Sequence, residues 1–289
     1  MSIRGKAAII GIGETPHRRV WPGRSMWSLC AEAAAEAIRD AGLRREDIDG
    51  LMTMGGVYPG PMAEYIGIRP TRFAVMSGFM GASSGVALAI AANVVANGMA
   101  KNVMFVAGGA RDPGNPAASI YMGDGGGGGP PSTGTEWSNP FGLAAGANTT
   151  YGLLYTRHMY EYGTKPEQLA RIAVNQRFNT QENPLSAFRG QALTVDDVLN
   201  SRYINYPLHL LESVMPVAGA IAYIVSSAEH ARTLLNPPVY ILGVGVHQGY
   251  ASSWTNPNML EVPARLSTKS AYEMAGYGPM DIEFAEFYD

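Results

Sequence analysis

Short apolar runs recur along the chain, and most of them stop at a glycine or a polar residue. Runs of this length are typical of strands that lie buried on both faces of a sheet. The pattern therefore predicts six strands, at 7–13, 48–54, 72–76, 103–107, 218–225 and 239–246.

Helical periodicity lies between these strands. A helix is predicted from the capping residue Ser25 to Ala41, because its apolar positions recur every three or four residues and Gly42 follows it. Residues 82–97 are apolar nearly all round, which predicts a helix that is buried on every side. Further helices are predicted at 145–162, at 164–178, from 194 onward and at 228–235. Strands that alternate with helices indicate a layered α/β fold.

One part of this pattern occurs twice. Five residues, which end the first helix and begin the next strand, occur again 234 positions later in the chain. Ala37, for example, corresponds to Ala271. The repeated residues are Ala271, Ala275, Gly276, Asp281 and Ile282. Both copies give a helix, a glycine stop, a turn and a strand, the second strand being predicted at 282–287. The repeat predicts a duplicated α/β unit whose second copy is cut short.

Composition narrows the classes of function. The chain has 289 residues, of which 46% are hydrophobic, which is enough for a sizeable core. Its net charge is −3 and it has no basic cluster, which argues against a nucleic-acid partner. It contains no apolar run of roughly 18 residues and no signal-peptide pattern, so we expect a cytoplasmic protein without a membrane span. One cysteine excludes an internal disulfide, and the histidines lack metal-ligand spacing, so no metal is predicted.

Residues 77–109 carry the most chemical information. A glycine-rich elbow leads into a helix, and the helix leads into a buried strand, an arrangement that enzymes use to aim a nucleophile. The position for the nucleophile holds Gly81. Ser83 and Ser84 follow without a histidine in a triad pattern and are interpreted as capping or packing residues. Cys30 lies on the apolar face of the first helix and is interpreted as a core residue.

Several segments resemble the thiolase superfamily, in particular its sterol-carrier-type thiolases and lipid-transfer thiolase homologues. They are residues 9–15, 80–109, 158–164, 218–229 and 283–289. The resemblance extends over essentially the whole chain, in order. It implies an α/β fold of duplicated αβαβα layers, with two similar halves that each contain a five-stranded sheet, the second half being truncated here.

The resemblance also implies how the chain is divided. Residues 1–110 would form most of the N-terminal half, which is resumed at 216–250, and residues 251–289 would begin the C-terminal half. The intervening residues 111–215, rich in glycine and proline at their start, would form a loop domain that covers the active site and helps to bind coenzyme A.

The chain departs from the family where the family does its chemistry. The family's elbow begins with a cysteine, which falls here on Gly81, ahead of Ala82 and Ser83. A family segment that reads Asn-Glu-Ala-Phe is matched by Tyr288 and Asp289. The family's Gly-His-Pro motif and its second catalytic cysteine have no counterpart among these 289 residues. Ping-pong acyl transfer is therefore not expected.

One branch of the family, the steroid side-chain aldolases, also lacks the cysteine. The resemblance to it implies retro-aldol cleavage of a β-hydroxyacyl-CoA, with the coenzyme A thioester as substrate and no bound cofactor. Tyr288, or alternatively Asp289, would take the proton from the β-hydroxyl. The elbow at Gly81, Ala82 and Ser83 would hold the negative charge on the thioester oxygen.

Partners and alternatives follow from the same resemblance. It implies a homodimer, which we expect to form through an edge strand near Val103, and a small OB-fold or zinc-ribbon partner subunit. A non-catalytic scaffold that binds acyl-CoA or lipid remains an alternative function. An acyltransferase is another alternative, and it would need Cys30 as its reactive thiol. The acyl chain is not defined by the sequence.

Overall fold

The computed structural model describes residues 2–54, 57–68, 71–111, 147–249 and 256–287. Within these ranges the strands are β1 (Ala7–Glu14), β2 (Gly50–Met54), β3 (Phe73–Ser77), β4 (Asn102–Gly109), β5 (Tyr203–Asn205), β6 (Leu208–His209), β7 (Gly219–Ser227) and β8 (Val239–Ile241). The α-helices are α1 (Met26–Asp40), α2 (Pro59–Ile66), α3 (Ser83–Ala96), α4 (Ala147–Tyr162), α5 (Pro166–Asn179), α6 (Val195–Asn200), α7 (Ala228–Ala231) and α8 (Ala264–Ala275).

The described residues divide into two compact units. The first is made by residues within 1–123, 217–247 and 264–289, and the second by residues within 124–216 and 248–263. The finer division at residues 110, 215 and 250 stays a prediction. In the parts of the chain that the structure describes, no helix combines the length and the apolarity that crossing a bilayer requires.

The first unit is built on a six-stranded mixed sheet in the order β3-β2-β4-β7-β1-β8. β2 runs parallel to β3 and β4, whereas β7 runs antiparallel to both β4 and β1. The carboxyl ends of β1, β2, β3 and β4 therefore meet at one edge of the sheet. This confirms the predicted α/β architecture, and all six strands predicted from the apolar runs belong to this one sheet, which has one strand more than the five that the resemblance implies.

Helices cover both faces of this sheet. Ala220, Ala222 and Ile224 of β7 share a core cluster with α1 and α2, while Tyr223 and Val225 belong to the cluster that contains α3. The alternation follows from the two-residue period of a strand, which turns successive side chains to opposite faces. A given strand position can thus be assigned to the α1 face or to the α3 face.

The turn that follows α1 is repeated after α8. Gly42 and Gly276 end the two helices with φ of 66° and 69°, a left-handed conformation that glycine adopts at low cost. A 3₁₀ turn follows each of them, at Arg45–Asp47 and at Pro279–Asp281. In each turn the aspartate accepts a hydrogen bond from the backbone N–H three residues earlier, at 2.9 Å and 2.7 Å. The local structure thus repeats along with the sequence.

β1 and β8 are also counterparts, and they pair with each other. Gly11 packs against a carbonyl of α1, and Gly243 packs against the equivalent carbonyl of α8. The two glycines are 232 residues apart and are therefore equivalent positions of the two strands. The antiparallel register joins Ala7 to Ile241, Ala8 to Tyr240 and Ile9 to Val239. Ala8 thus pairs with its own counterpart, as a local two-fold axis requires. These contacts support the predicted duplication.

The second predicted copy is not completed as expected. Residues 282–287 form no strand, and Phe284 and Phe287 are 82% and 89% exposed. The prediction was wrong because a strand needs a neighbouring strand to satisfy its backbone groups, and the described residues supply none there. The predicted strand at 239–246 is likewise shortened to β8, since the chain beyond Ile241 lies along α8 at Gly243 and Gly245.

Other helix boundaries differ from their predicted positions for local reasons. The helix predicted from Thr164 begins at Pro166, because Gln168 accepts the N–H of Lys165 at 2.7 Å and makes Lys165 the cap. The helix predicted at 228–235 is reduced to α7, after which the chain forms i to i−3 bonds ahead of two prolines. Thr194 caps α6 as predicted. Sequence patterns missed α2, whose eight residues include two prolines and a glycine.

The edge strand expected near Val103 was assigned wrongly. Val103 lies in β4, which is hydrogen-bonded to β2 on one side and to β7 on the other. It has no exposed side chain and no unpaired backbone edge. Among the described strands the edges of the sheet are β3 and β8, so these are the strands that a partner adding to the described sheet would meet.

The second unit contains a carboxylate in an unfavourable position. Oε1 of Glu212 accepts the N–H of His209 at 2.7 Å, while its Oε2 is buried without a hydrogen-bond partner. Burial raises the pKa of Glu212. Burial, with the charges of Glu212 and Glu167, also raises the pKa of Tyr155 to about 12. The folded unit therefore holds the proton of Glu212 more tightly than an exposed glutamate would.

We expect stability to respond to pH through Glu212. The folded state binds this proton more tightly than the unfolded chain, so the free energy of unfolding rises as pH falls through the raised pKa and levels off below the ordinary value of about 4.3. Thermal midpoints of the wild type and Glu212→Gln, measured from pH 7 to pH 4, test this. The wild type should gain more on acidification than the variant. Parallel curves would contradict the assignment.

Candidate active site

The elbow between β3 and α3 is held by hydrogen bonds from buried hydroxyls. After Ser77 the chain makes a 3₁₀ turn at Met80–Ala82 and enters α3 at Ser83. The Ser83 hydroxyl accepts the backbone N–H of Phe79 at 2.9 Å, and its carbonyl accepts the hydroxyl of Ser77 at 2.9 Å. Ser83 is 1% exposed. These contacts give its side chain a structural role in shaping the elbow.

A tyrosine from β7 fixes the first turn of α3. The Tyr223 hydroxyl donates to the carbonyl oxygen of Ser84 at 2.7 Å, and its ring stacks on Phe105 with centroids 5.0 Å apart. Burial raises the pKa of Tyr223, which keeps it a neutral donor. Sequence reasoning missed this residue. The available signal was that Tyr223 is the only aromatic residue in the apolar run 218–225.

The three predicted elbow residues lie together at the carboxyl edge of the sheet. Ala82 is the N-cap of α3, with φ of −77° and ψ of −3°, and no side chain accepts a hydrogen bond from the first turn. Gly81 is half-buried and Ala82 is exposed. The first-turn N–H groups of a helix carry partial positive charge and lack intrahelical partners. Tyr288 and Asp289 lie outside the described residues, and their role stays a prediction.

The lone cysteine is placed in the core and away from solvent. Cys30 is fully buried on α1, and a Cβ built on Gly108 of β4 would lie 3.0 Å from its sulfur. Burial raises the pKa of the Cys30 thiol to about 12. A nucleophilic or metal-binding cysteine needs an accessible thiolate, which this position does not supply at neutral pH.

We expect the native protein to resist alkylation by iodoacetamide. The buried, protonated thiol of Cys30 should react at least about 100-fold more slowly than a free thiol, because less than one part in a thousand is ionised at pH 7. Mass spectrometry after a timed exposure measures the modified fraction, with the guanidinium-unfolded protein as the fully reactive control. Stoichiometric alkylation of the folded protein with loss of activity would instead favour the acyltransferase alternative.

Within the described part of the chain, no group of three or more histidine, cysteine, aspartate or glutamate residues is placed so that it could hold a metal ion. What the elbow does offer is a set of backbone donors at a helix N-terminus, which suits an oxygen that becomes negatively charged during a reaction.

Comparison with curated proteins gives relatives that align along nearly the whole chain. A steroid side-chain-cleaving aldolase of Thermomonospora curvata is 33% identical, over 99% of this chain and 74% of its own. A 17-hydroxy-3-oxo-4-pregnene-20-carboxyl-CoA lyase of Mycobacterium tuberculosis is 30% identical, over 99% of this chain and 76% of its own. An acetyl-CoA acetyltransferase of Methanothermobacter thermautotrophicus is 30% identical, over 98% and 73%. The chain thus spans about three quarters of their length.

A solved structure agrees with these relatives. The aldolase described as Ltp2-ChsH2(DUF35) superposes with a TM-score of 0.87 at 31% identity, covering 97% of this chain and 72% of that one. A scan against protein-family models found no match.

Proposed function

Since the chain belongs to the thiolase superfamily, in its sterol-carrier-type branch that includes the steroid side-chain aldolases, we propose that it cleaves a carbon–carbon bond of a β-hydroxyacyl-CoA by a retro-aldol reaction. The observation that carries this proposal is the 33% identity to a named aldolase over 99% of the chain. The elbow supports it, because α3 begins there with a helix N-terminus, and Gly81 is the position on which the resemblance puts the thiolase cysteine.

The elbow provides most of what a retro-aldol reaction requires. A base, Tyr288 or Asp289, takes the proton from the β-hydroxyl, and the carbon–carbon bond breaks to give a carbonyl compound and a thioester enolate. The N–H groups of the elbow at Gly81 and Ser83 stabilise the negative oxygen of that enolate. The N–H of Ala82, which was expected to take part, donates to the carbonyl oxygen of Phe79 at 3.1 Å. No acyl group is transferred to the protein, so a side chain at position 81 is not required.

The assay is direct. The protein is incubated with 17-hydroxy-3-oxo-4-pregnene-20-carboxyl-CoA, the compound in the name of one relative, and a released 17-ketone and propionyl-CoA are measured by mass spectrometry. The same assay is repeated with an added DUF35-type subunit, because the superposed aldolase is described with one. Coenzyme A binding without any product in either assay would favour the scaffold alternative.

The acetyltransferase relative makes acyl transfer the second enzyme class to test. Acetyl-CoA labelled in its acetyl group distinguishes the two classes, since a thiolase forms a labelled acyl-enzyme and an aldolase does not. We expect no label on the protein, because Gly81 has no side chain and Cys30 is buried.

We further propose that the protein is a homodimer that pairs through β3. This strand reads Phe-Ala-Val-Met-Ser, it carries no charge, and its described hydrogen-bonded neighbour is β2 alone. An uncharged apolar edge strand is a site for strand addition. Light scattering after gel filtration gives the mass, and Ala74→Lys, on the exposed face of β3, should shift a dimer to monomer.

A further inference from the structure

His17 is an ionisable side chain that the proposed retro-aldol reaction does not use. It follows β1 at the carboxyl edge of the sheet, and its Nδ1 lies 3.3 Å from Oε1 of Glu14, the last residue of that strand. Both side chains are partly exposed, at 26% and 37%. A carboxylate at Nδ1 orients an imidazole and leaves Nε2 as the nitrogen that exchanges a proton with a substrate.

The imidazole rests on a glycine. A Cβ built on Gly219, the first residue of β7, would overlap Cδ2 of His17 and lie 3.0 Å from its Nε2. Gly219 pairs with Gly109, the last residue of β4, so two adjacent strands end without side chains at this point. Paired glycines allow another molecule to come close to the backbone.

The ring lies on the same face of the sheet as the elbow. Gly219 and Tyr223 share a face because they are four residues apart on one strand, and Tyr223 belongs to the α3 face. On the neighbouring strand, Gly108 faces Cys30 of α1, which turns Gly109 to the α3 face as well. His17 therefore stands on the side of the sheet that α3 covers.

The ring and the elbow also lie in the same direction from Tyr223. Tyr223 holds Ser84, and Gly81 precedes Ser84 toward the carboxyl edge, where β3 ends. Gly219 lies toward the same edge, about 13 Å along β7 from Tyr223 at 3.3 Å per residue. Gly81 and His17 therefore lie on the same face of the sheet and toward the same edge of it.

We propose that His17 is the acid that protonates the α-carbon of the thioester enolate, with Glu14 as its positioning residue. The proposal rests on the proposed retro-aldol function, which needs two proton transfers. The β-hydroxyl proton goes to the base, and the electrons of the broken bond move to the enolate. The proton on Nε2 of His17 then forms the new C–H bond, and both groups regain their starting states from water without any redox change.

The test separates this step from bond cleavage. Propionyl-CoA alone, in deuterium oxide, exchanges its α-protons if the protein can form and reprotonate the enolate, and mass spectrometry measures the rate. His17→Gln should lower that rate about 100-fold, within the range for a lost acid–base catalyst. His230→Gln, at the opposite edge of the sheet on α7, is the matched control and should exchange normally.

Two more variants exclude a purely structural role. Added imidazole should restore part of the exchange in His17→Ala, which repacking of the loop would not do. Glu14→Gln, which keeps His17, should slow exchange about tenfold with the KM for propionyl-CoA unchanged. The Glu14→Gln variant also keeps the test decisive if circular dichroism shows that the His17 variants are misfolded.

Each outcome decides one proposal. Wild-type protein that cleaves the β-hydroxyacyl-CoA but does not exchange, or a folded His17→Gln that exchanges at the wild-type rate, overturns the role of His17 and leaves the aldolase function standing. Wild-type protein that neither cleaves nor exchanges, with or without the DUF35-type subunit, overturns the aldolase function itself.

Discussion

Gly13→Ala is expected to destabilise the first unit by about 3 kcal/mol or more, the upper range for forcing extra atoms into a packed core. Gly13 lies where β1 crosses α1, and a Cβ there would overlap the carbonyl oxygen of Ala33 and lie 2.5 Å from the N–H nitrogen of Ala37. Both contacts are to backbone, which has no side-chain rotamer to relieve them. The strand and the helix would have to move apart.

The duplicated unit predicts the same result a second time. Gly245, the counterpart of Gly13, would place a Cβ onto the carbonyl oxygen of Ser267 in α8. If β8 and α8 repeat the packing of β1 and α1, Gly245→Ala should also be destabilising. It should cost less than Gly13→Ala, because α8 has no buried residue whereas α1 has seven.

Thermal unfolding measures both variants. A loss of about 3 kcal/mol lowers the midpoint by roughly 5 °C in a protein of this size, because the entropy of unfolding is about 2.1 cal/mol/K per residue. Gly85→Ala is the matched control, since Gly85 lies in α3 with open space where its Cβ would be, and alanine there should be neutral or stabilising by up to about 1 kcal/mol. A Gly13→Ala protein as stable as Gly85→Ala would refute the close packing of β1 on α1.

Hydrophobic pattern was sufficient to predict the sheet and its main helices. Strands buried on both faces appear as short apolar runs, and α1 appears as a stripe, because burial acts on each residue along the local period. The same reasoning failed at 282–287, where the sequence has the composition of a strand and the structure supplies no neighbouring strand. Strand pairing depends on the arrangement of the whole sheet, so a local sequence pattern does not predict it.

The residues of the candidate site likewise differ in whether the sequence alone could predict them. Gly81 was predicted from the sequence because the resemblance places the family's nucleophile directly before the buried helix, and its role stays a prediction. Tyr223 and His17 could not be predicted, since Tyr223 reaches Ser84 across 139 positions and Gly219 is some 200 positions from His17. Such contacts depend on strand order and register. Both side chains lie on the α3 face of the assembled sheet, and only the folded structure shows this.

Tyr288→Phe is expected to lower kcat for cleavage of the β-hydroxyacyl-CoA by about 10²–10⁴, the contribution of a general base, with little change in KM. The substitution keeps the aromatic ring and removes only the hydroxyl that would accept the proton. Tyr277→Phe is the matched control from the same end of the chain. Tyr277 is 48% exposed, its ring packs under Arg4, and the loss of its hydroxyl should not alter the rate.

The alternative base predicts a different pattern. If Asp289 takes the proton, Asp289→Asn should lose the activity that Tyr288→Phe retains, and the wild-type rate should be level above about pH 5, because an ordinary aspartate is ionised there. If Tyr288 takes it, the rate should still rise with pH above neutrality, since a phenol ordinarily titrates near 10 and only its ionised form is a base. Full activity in both variants, with folding unchanged, would remove the base from this end of the chain and leave the elbow and His17 as the groups on which the chemistry has to be rebuilt.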